Sequence, residues 1–193
     1  MADDTMTQHD SRVTVHMLAS LDGFVARKDG RVDWLETQDT YAGGETLTAA
    51  AVDAFLGSID CYVMGARTYE TALGFEAKGL GWAYGDKPTF VLTHRALPKT
   101  RDNIQFVSGD LAALINEQLR PRFRGIWVVG GGDVCGACLQ AGLVDEVRYS
   151  MAPVLIGEGL RFFERLTRDV PLHLVEAKAY DNAIVALRYD VKR

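Results

Sequence analysis

From Arg12 to Ala19 the chain reads RVTVHMLA, a run dense in β-branched and apolar residues. Such a run predicts a buried strand. Ser20-Leu21-Asp22-Gly23 breaks it with turn chemistry, and Phe24–Ala26 predicts a short strand before a turn at Lys28-Asp29-Gly30. The pattern then alternates. Leu47, Ala51, Ala54 and Phe55 fall near helical spacing, which predicts a helix over Thr46–Ser58. A strand over Asp60–Met64 and a short helix over Thr68–Leu73 follow. Thr89–Leu92 and Ile104–Val107 read as strands, and Ser108 reads as the cap of a helix that runs to Leu119 and stops at Pro121. Next come a strand at Gly125–Val129, a helix at Asp133–Ala141 and a strand at Val144–Met151. Leu172–Ala179 and Ala183–Val191, split by Tyr180-Asp181-Asn182, predict a closing hairpin. Residues 74–87 are glycine-rich and read as a surface loop.

Strand–helix alternation followed by antiparallel strands predicts one α/β domain of three layers, α/β/α, with a mixed sheet. Residues 1–11 are polar and acidic and are expected to form a disordered tail, leaving 12–193 as the domain. Of the 193 residues, 48% are hydrophobic and 24% charged, a balance that supports a sizeable core. The formal net charge is −5, with no cluster of Lys and Arg, so no nucleic-acid footprint is present. No apolar run approaches the roughly 18 residues of a membrane span. The acidic N-terminus does not look like a signal peptide, and a cytoplasmic location is expected.

Two motifs compete in Trp127–Gln140, WVVGGGDVCGACLQ. Gly130, Gly131 and Gly132 sit between a strand and a helix. Backbone N–H groups at a helix start carry partial positive charge, and residues without side chains let a pyrophosphate approach. The bland alternative is a tight strand-to-helix turn. The pattern is not G-x-G-x-x-G and lies late in the chain, which excludes a dinucleotide fingerprint of the βαβ type. Cys135-Gly136-Ala137-Cys138 has dithiol spacing, but no thioredoxin-like unit surrounds it, and free cysteine packs as a small hydrophobe. Two thiols alone leave a zinc site short of ligands, so no metal is expected.

Five strand ends carry a wider pattern: MLASLDG (Met17–Gly23), VMGARTYE (Val63–Glu70), FVLTHR (Phe90–Arg95), VVGGGDV (Val128–Val134) and APVLIGEGLRFF (Ala152–Phe163). In this order and spacing they resemble the dihydrofolate reductase-like superfamily, in the branch related to the C-terminal reductase domain of riboflavin biosynthesis (RibD). The resemblance covers nearly all of 12–192. It implies a mixed, mainly parallel sheet of about eight strands with helices on both faces, and NADPH across the strand ends. Gly65, Arg67 and Thr68 would face the cofactor phosphates. Thr93, His94 and Arg95 stand where the family holds the adenosine 2′-phosphate, a group suited to the two-pronged Arg95. Gly130, Gly131 and Gly132, with Asp133 and Val134 opening the helix, would cradle the pyrophosphate, and the glycine pair would carry a cis peptide. Ala19 and Ser20 would border the nicotinamide. Subunit pairing in the family makes a homodimer an expectation.

The substrate is less defined. The resemblance implies hydride transfer to a small, heterocyclic C=N or C=O compound. Dihydrofolate and the riboflavin precursor 5-amino-6-ribosylaminouracil phosphate are alternatives. Ala51 stands where dihydrofolate reductases carry their pterin-binding acid, and Gly130 where the riboflavin branch commonly has Glu. Ala66 replaces the arginine that usually follows the first glycine. Asp22 is the remaining polar candidate for catalysis or substrate binding, against a plain Asx turn. Trp34 is a candidate pocket wall, against a core position. Trp82 and Tyr84 would cap the pocket or lie on the surface, and His9, His16 and His173 form no constellation. A non-catalytic nucleotide-binding protein and a thiol redox protein are the readings of other classes.

Overall fold

Cys61–Gly65 is a strand whose alternate residues enter two different cores. Cys61 and Val63 pack with Val13, Val15, Ile126, Val128 and Cys135, whereas Tyr62 and Met64 pack with Tyr69, Val91 and Ile104. Side chains of a strand alternate in direction, so a strand apolar at every position must be covered on both faces. The computed structural model, which describes residues 11–36, 39–164 and 166–193, has that three-layer arrangement.

The elements in order are β1 (Arg12–Ser20), β2 (Phe24–Ala26), a 3-10 turn (Asp33–Glu36), α1 (Ala49–Gly57), β3 (Cys61–Gly65), α2 (Ala66–Ala77), β4 (Thr89–Leu92) and β5 (Ile104–Val107). Then come α3, an α-helical turn Leu111–Ala113 continued by a π-helical stretch Leu114–Leu119, and β6 (Gly125–Gly130), α4 (Gly132–Gln140), β7 (Glu146–Ala152), β8 (Leu160–Arg161), β9 (Leu172–Ala179) and β10 (Val185–Val191). The eight-stranded sheet has the order β5-β4-β3-β6-β1-β7-β10-β9, parallel except for the last two pairings, and β2 pairs with β8 in a separate ribbon. The expected mixed, mainly parallel eight-stranded sheet is therefore present. Helices α3 and α4 cover the face that holds Val13 and Val15. Helix α2 covers the other, and Phe55 of α1 joins that side.

One pairing detail positions the site. β1 pairs with β6 from Arg12↔Gly125 only as far as Val15↔Val128, whereas its pairing with β7 continues to Ser20↔Ala152. Beyond Val15, β1 and β6 diverge at the carboxyl ends of the strands. Open parallel sheets bind ligands in such crevices.

Several boundaries depart from the sequence reading. The helix expected over Thr68–Leu73 spans Ala66–Ala77, so the loop expected over 74–87 is shorter. Asp110 caps α3 in place of Ser108, its Oδ1 accepting from Ala112 N at 2.6 Å and Ala113 N at 3.1 Å. The carboxylate two residues on reaches the orphan N–H groups of the first turn. Trp82 and Tyr84 pack against Tyr69 and Tyr62, which makes them part of the second core. Ser11 belongs to the domain: it is buried, and its Oγ donates to Phe123 O at 2.8 Å. Residues 1–10 of the expected tail lie outside the described residues. The 3-10 turn and β8 have no counterpart in the sequence reading.

Candidate cofactor site

Two helices start side by side at the carboxyl ends of neighbouring parallel strands. β3 ends at Gly65 and leads straight into α2; β6 ends at Gly130 and leads through Gly131 into α4. Gly65 and Gly131 are the N-caps, and neither supplies a side-chain cap. Their first-turn N–H groups therefore lack the usual side-chain acceptor, which makes each start a place for an anion. The two starts are adjacent: a Cβ built on Gly65 would stand 3.8 Å from Gly131 N and 3.2 Å from Val134 Cγ2. The Gly130–Gly131 peptide is cis, as the resemblance implies, and Gly130 has φ +140°, a conformation side chains rarely adopt. A Cβ on Gly130 would lie 3.0 Å from Met17 Sδ, and one on Gly131 would lie 3.6 Å from Thr68 Oγ1. Thr68 thus presents a hydroxyl to the glycine pair. Arg67 reaches across from α2 to Asp133 on α4, Nη2 to Oδ2 2.9 Å, with both side chains exposed.

One strand further out, Thr93, His94 and Arg95 leave β4. Thr93 Oγ1 accepts from Arg95 N at 2.9 Å, which fixes the backbone of the turn. The Arg95 guanidinium is exposed and donates to Glu70 Oε2 at 2.8 Å, a contact that raises its pKa above the ordinary arginine value. Beside this turn, at the ends of β4 and β5, a cavity of about 340 Å³ is lined by Leu92, Val107, Ser108, Gly109, Leu114 and Gln118. A larger cavity of about 630 Å³, lined by Leu139, Val147, Phe163 and Leu172, lies at the far end of α4, away from these strand ends.

On the inner side, Ala19 and Ser20 are fully buried at the end of β1. Ser20 is used internally: its Oγ donates to Asp22 Oδ1 at 2.5 Å and accepts from Phe24 N at 3.0 Å. Asp22 does not stand ready for chemistry. Its carboxylate also accepts from Gly157 N at 2.7 Å and Ile156 N at 3.2 Å, tying the end of β1 to the loop before β8. Desolvation raises its pKa, but the hydrogen bonds from Ser20, Gly157 and Ile156 outweigh this and hold it below the usual carboxylate range. These hydrogen bonds fit the Asx-turn alternative, in which Asp22 staples the end of β1 to the loop before β8. Trp34 is 3% exposed, as a core residue would be, and its Nε1 finds no hydrogen-bond acceptor among the described residues.

His16 does belong to a cluster, which the sequence reading missed. Its ring stacks on Trp127 at 5.4 Å between centroids and meets Phe55 of α1 edge-on at 5.0 Å. The Trp127 indole N–H donates to His16 O at 3.0 Å. Burial, reinforced by the nearby Arg148 and opposed by Glu146, pushes the imidazole pKa down to about 4. No local signal reveals this group, because Trp127 lies on the neighbouring strand β6, more than a hundred residues away, and Phe55 lies on another layer. The thiols are equally plain. Cys135 and Cys138 are fully buried and unbridged, and desolvation raises both pKa values, that of Cys138 to about 12. A thiolate is the reactive form, so these residues pack α4 and the dithiol reading is set aside. Among the described residues there is no group of three or more His, Cys, Asp or Glu side chains placed to hold a metal ion, and no helix is long and apolar enough to cross a membrane.

The structure thus gathers Gly65, Arg67, Thr68, Thr93, His94, Arg95 and Gly130 through Val134 along one rim, with Ala19 and Ser20 at its inner end. Asp22 is hydrogen-bonded to Ser20 at that inner end, and Trp34 is buried. This fold is of the dihydrofolate reductase-like type. The sequence matches the RibD C-terminal domain over residues 11–186, and the chain belongs to that family. It is 24% identical over 176 residues to the uncharacterized protein YwjB of Bacillus subtilis (strain 168), covering 91% of this chain and 95% of that one. A crystal structure from Shewanella sp. PV-4, provisionally named a riboflavin biosynthesis protein, superposes with a TM-score of 0.79 at 25% identity, over 94% of this chain and 99% of the other. The diaminohydroxyphosphoribosylaminopyrimidine deaminase/5-amino-6-(5-phosphoribosylamino)uracil reductase of Thermotoga maritima shares the fold, with a TM-score of 0.66 at 15% identity, over 96% of this chain and 58% of that longer one.

Proposed function

We propose that the chain is an NADPH-dependent reductase acting on a small heterocyclic C=N or C=O substrate. The observation that carries this reading is the pair of glycine-capped helix starts, Gly65 and Gly131, set side by side with the Thr68 hydroxyl beside them. A pyrophosphate needs convergent donors and no side-chain carbon in the way, and this cradle supplies both. Arg67 sits at its edge. Arg95, one strand out, would take the 2′-phosphate, and the cavity beside it, lined by both apolar (Leu92, Val107) and polar (Ser108, Asp110) residues, would take the base. Where β1 and β6 diverge, backbone groups of β1 past Val15 would border the nicotinamide, which supplies the hydride when the cofactor is bound. Asp22 holds the Ile156–Gly157 loop against the end of β1.

Membership of the RibD C-terminal family supports a riboflavin-precursor type of heterocycle ahead of a folate. Pairing of two copies is a further proposal, supported by the exposed Leu172, Leu174 and Val175 on edge strand β9 and readable by light scattering. The functional reading is tested by titrating the protein with NADPH and with NADH, followed by ligand fluorescence, with Arg95→Ala alongside. Tighter NADPH than NADH binding, lost by about tenfold in the variant, is expected. NADPH oxidation dependent on an added ribosylaminopyrimidine or dihydropteridine would then identify the acceptor. Absence of binding by either nucleotide would remove the reductase reading.

A further inference from the structure

We propose that Glu70 sets how strongly the site prefers NADPH over NADH, by competing with the 2′-phosphate for Arg95. The inference rests on the cofactor reading above and extends it to a residue that reading leaves out.

The Arg95 side chain of the Thr93–Arg95 turn is directed by a partner. Its Nη2 donates to Glu70 Oε2 at 2.8 Å. Glu70 stands on α2 one turn beyond Ala66, Arg67 and Thr68, so the helix that starts the phosphate cradle also carries the carboxylate. Neighbouring strands lie about 4.8 Å apart, so the turn after β4 is one strand from the cradle at the ends of β3 and β6. An adenosine leaving the cradle in that direction would bring its ribose toward Arg95 and Glu70 together. The two cofactors then meet opposite consequences. A 2′-phosphate gains the guanidinium but must displace or share it with an anion, and it stands beside a like charge. A ribose with a free 2′-hydroxyl brings no such repulsion, and a carboxylate is a good acceptor for that hydroxyl. Both side chains are about half exposed, Arg95 at 56% and Glu70 at 42%, so the effect is screened and modest rather than absolute. The pair therefore acts as a brake on NADPH selectivity.

Glu70→Gln removes the charge and keeps the shape and a hydrogen-bond acceptor for Arg95. NADPH is expected to bind about threefold to fivefold more tightly to this variant, the scale of an exposed pair. NADH is expected to bind equally well or slightly less well. In the Arg95→Ala background, the same substitution should change the NADPH-to-NADH ratio by less than it does beside Arg95, because the contested cation is gone and only the direct repulsion between Glu70 and the phosphate remains. Raising the salt concentration should shrink the Glu70→Gln effect. Weaker NADPH binding in Glu70→Gln would show that the carboxylate steadies Arg95 for phosphate and would overturn the proposal. An unchanged ratio would overturn it too. Either result differs from failure of the cofactor reading, in which the unmodified protein binds neither nucleotide.

Discussion

Helices α1 and α4 are each nine residues long, and their sequences mislead in opposite ways. α1 reads AAAVDAFLG, almost wholly apolar, yet none of its residues is buried. α4 reads GDVCGACLQ, with a glycine at each of two positions one turn apart, and buries five residues. The difference lies in what each backbone touches. A Cβ on Gly132 would stand 2.0 Å from Arg161 O, and one on Gly136 would stand 1.7 Å from Glu164 O. The glycines let α4 press its backbone onto the segment at 161–164, while Cys135 and Cys138 fill the space toward the sheet. The helix whose start forms half of the cradle is thereby held rigidly from behind. α1 lies over the sheet mainly through Phe55, which meets His16 and Trp127. Close packing, not apolar content, marks the element that has to hold a geometry.

The contrast can be broken at several strengths. Gly136→Ala is expected to destabilise the protein by about 3 kcal/mol or more, since the backbone it meets has no room to give. Denaturant unfolding would read this, and a cost under about 1 kcal/mol would contradict the close approach. The His16 contact beneath α1 should appear as pH dependence. Its folded pKa of about 4 lies below the unfolded value near 6.5, so the unfolded chain takes up the proton first as pH falls. The stability contributed by neutral His16 is complete above about pH 6.5 and is lost as pH falls toward 4. A ceiling of about 3 kcal/mol follows from the shift. His16→Phe should flatten this part of the profile, and a profile identical to that of the unmodified protein would contradict the buried neutral ring. Cys135→Ala with Cys138→Ala should cost about 1 to 2 kcal/mol through lost packing while leaving NADPH affinity within about twofold. Loss of binding in a folded double variant would restore a functional role to the thiols. Val52→Ser on α1 should change stability by no more than about 0.5 kcal/mol, the range of exposed positions.

Much of the architecture was legible because single strands report their own environment. The apolar runs at Thr89–Leu92 and Ile104–Val107 end where the strands end, and the glycine-led turns after β3 and β6 mark both helix starts of the cradle. The candidate site residues came from the resemblance of five strand ends to a known family, and parallel strands do bring those carboxyl ends to one rim. Partnerships across the fold were not. Nothing near Arg95 points to Glu70, 25 residues earlier, and nothing near His16 points to Trp127, 111 residues later. The turn role of Asp22 was legible, but its donors Ile156 N and Gly157 N were not, because they lie more than a hundred residues away. The early end given to α2 has a local cause: Gly74 interrupts the pattern, and the helix continues through it to Ala77.

The central claim is that the two adjacent glycine-capped helix starts receive the cofactor phosphates. Amide spectra of isotopically labelled protein, recorded as NADPH is added, test it most directly. The largest shifts are expected at 65–68, 93–95 and 130–134, with the amides of α1 at 49–57 nearly unmoved. Shifts concentrated on α1, or around the cavity at the far end of α4, would contradict the account.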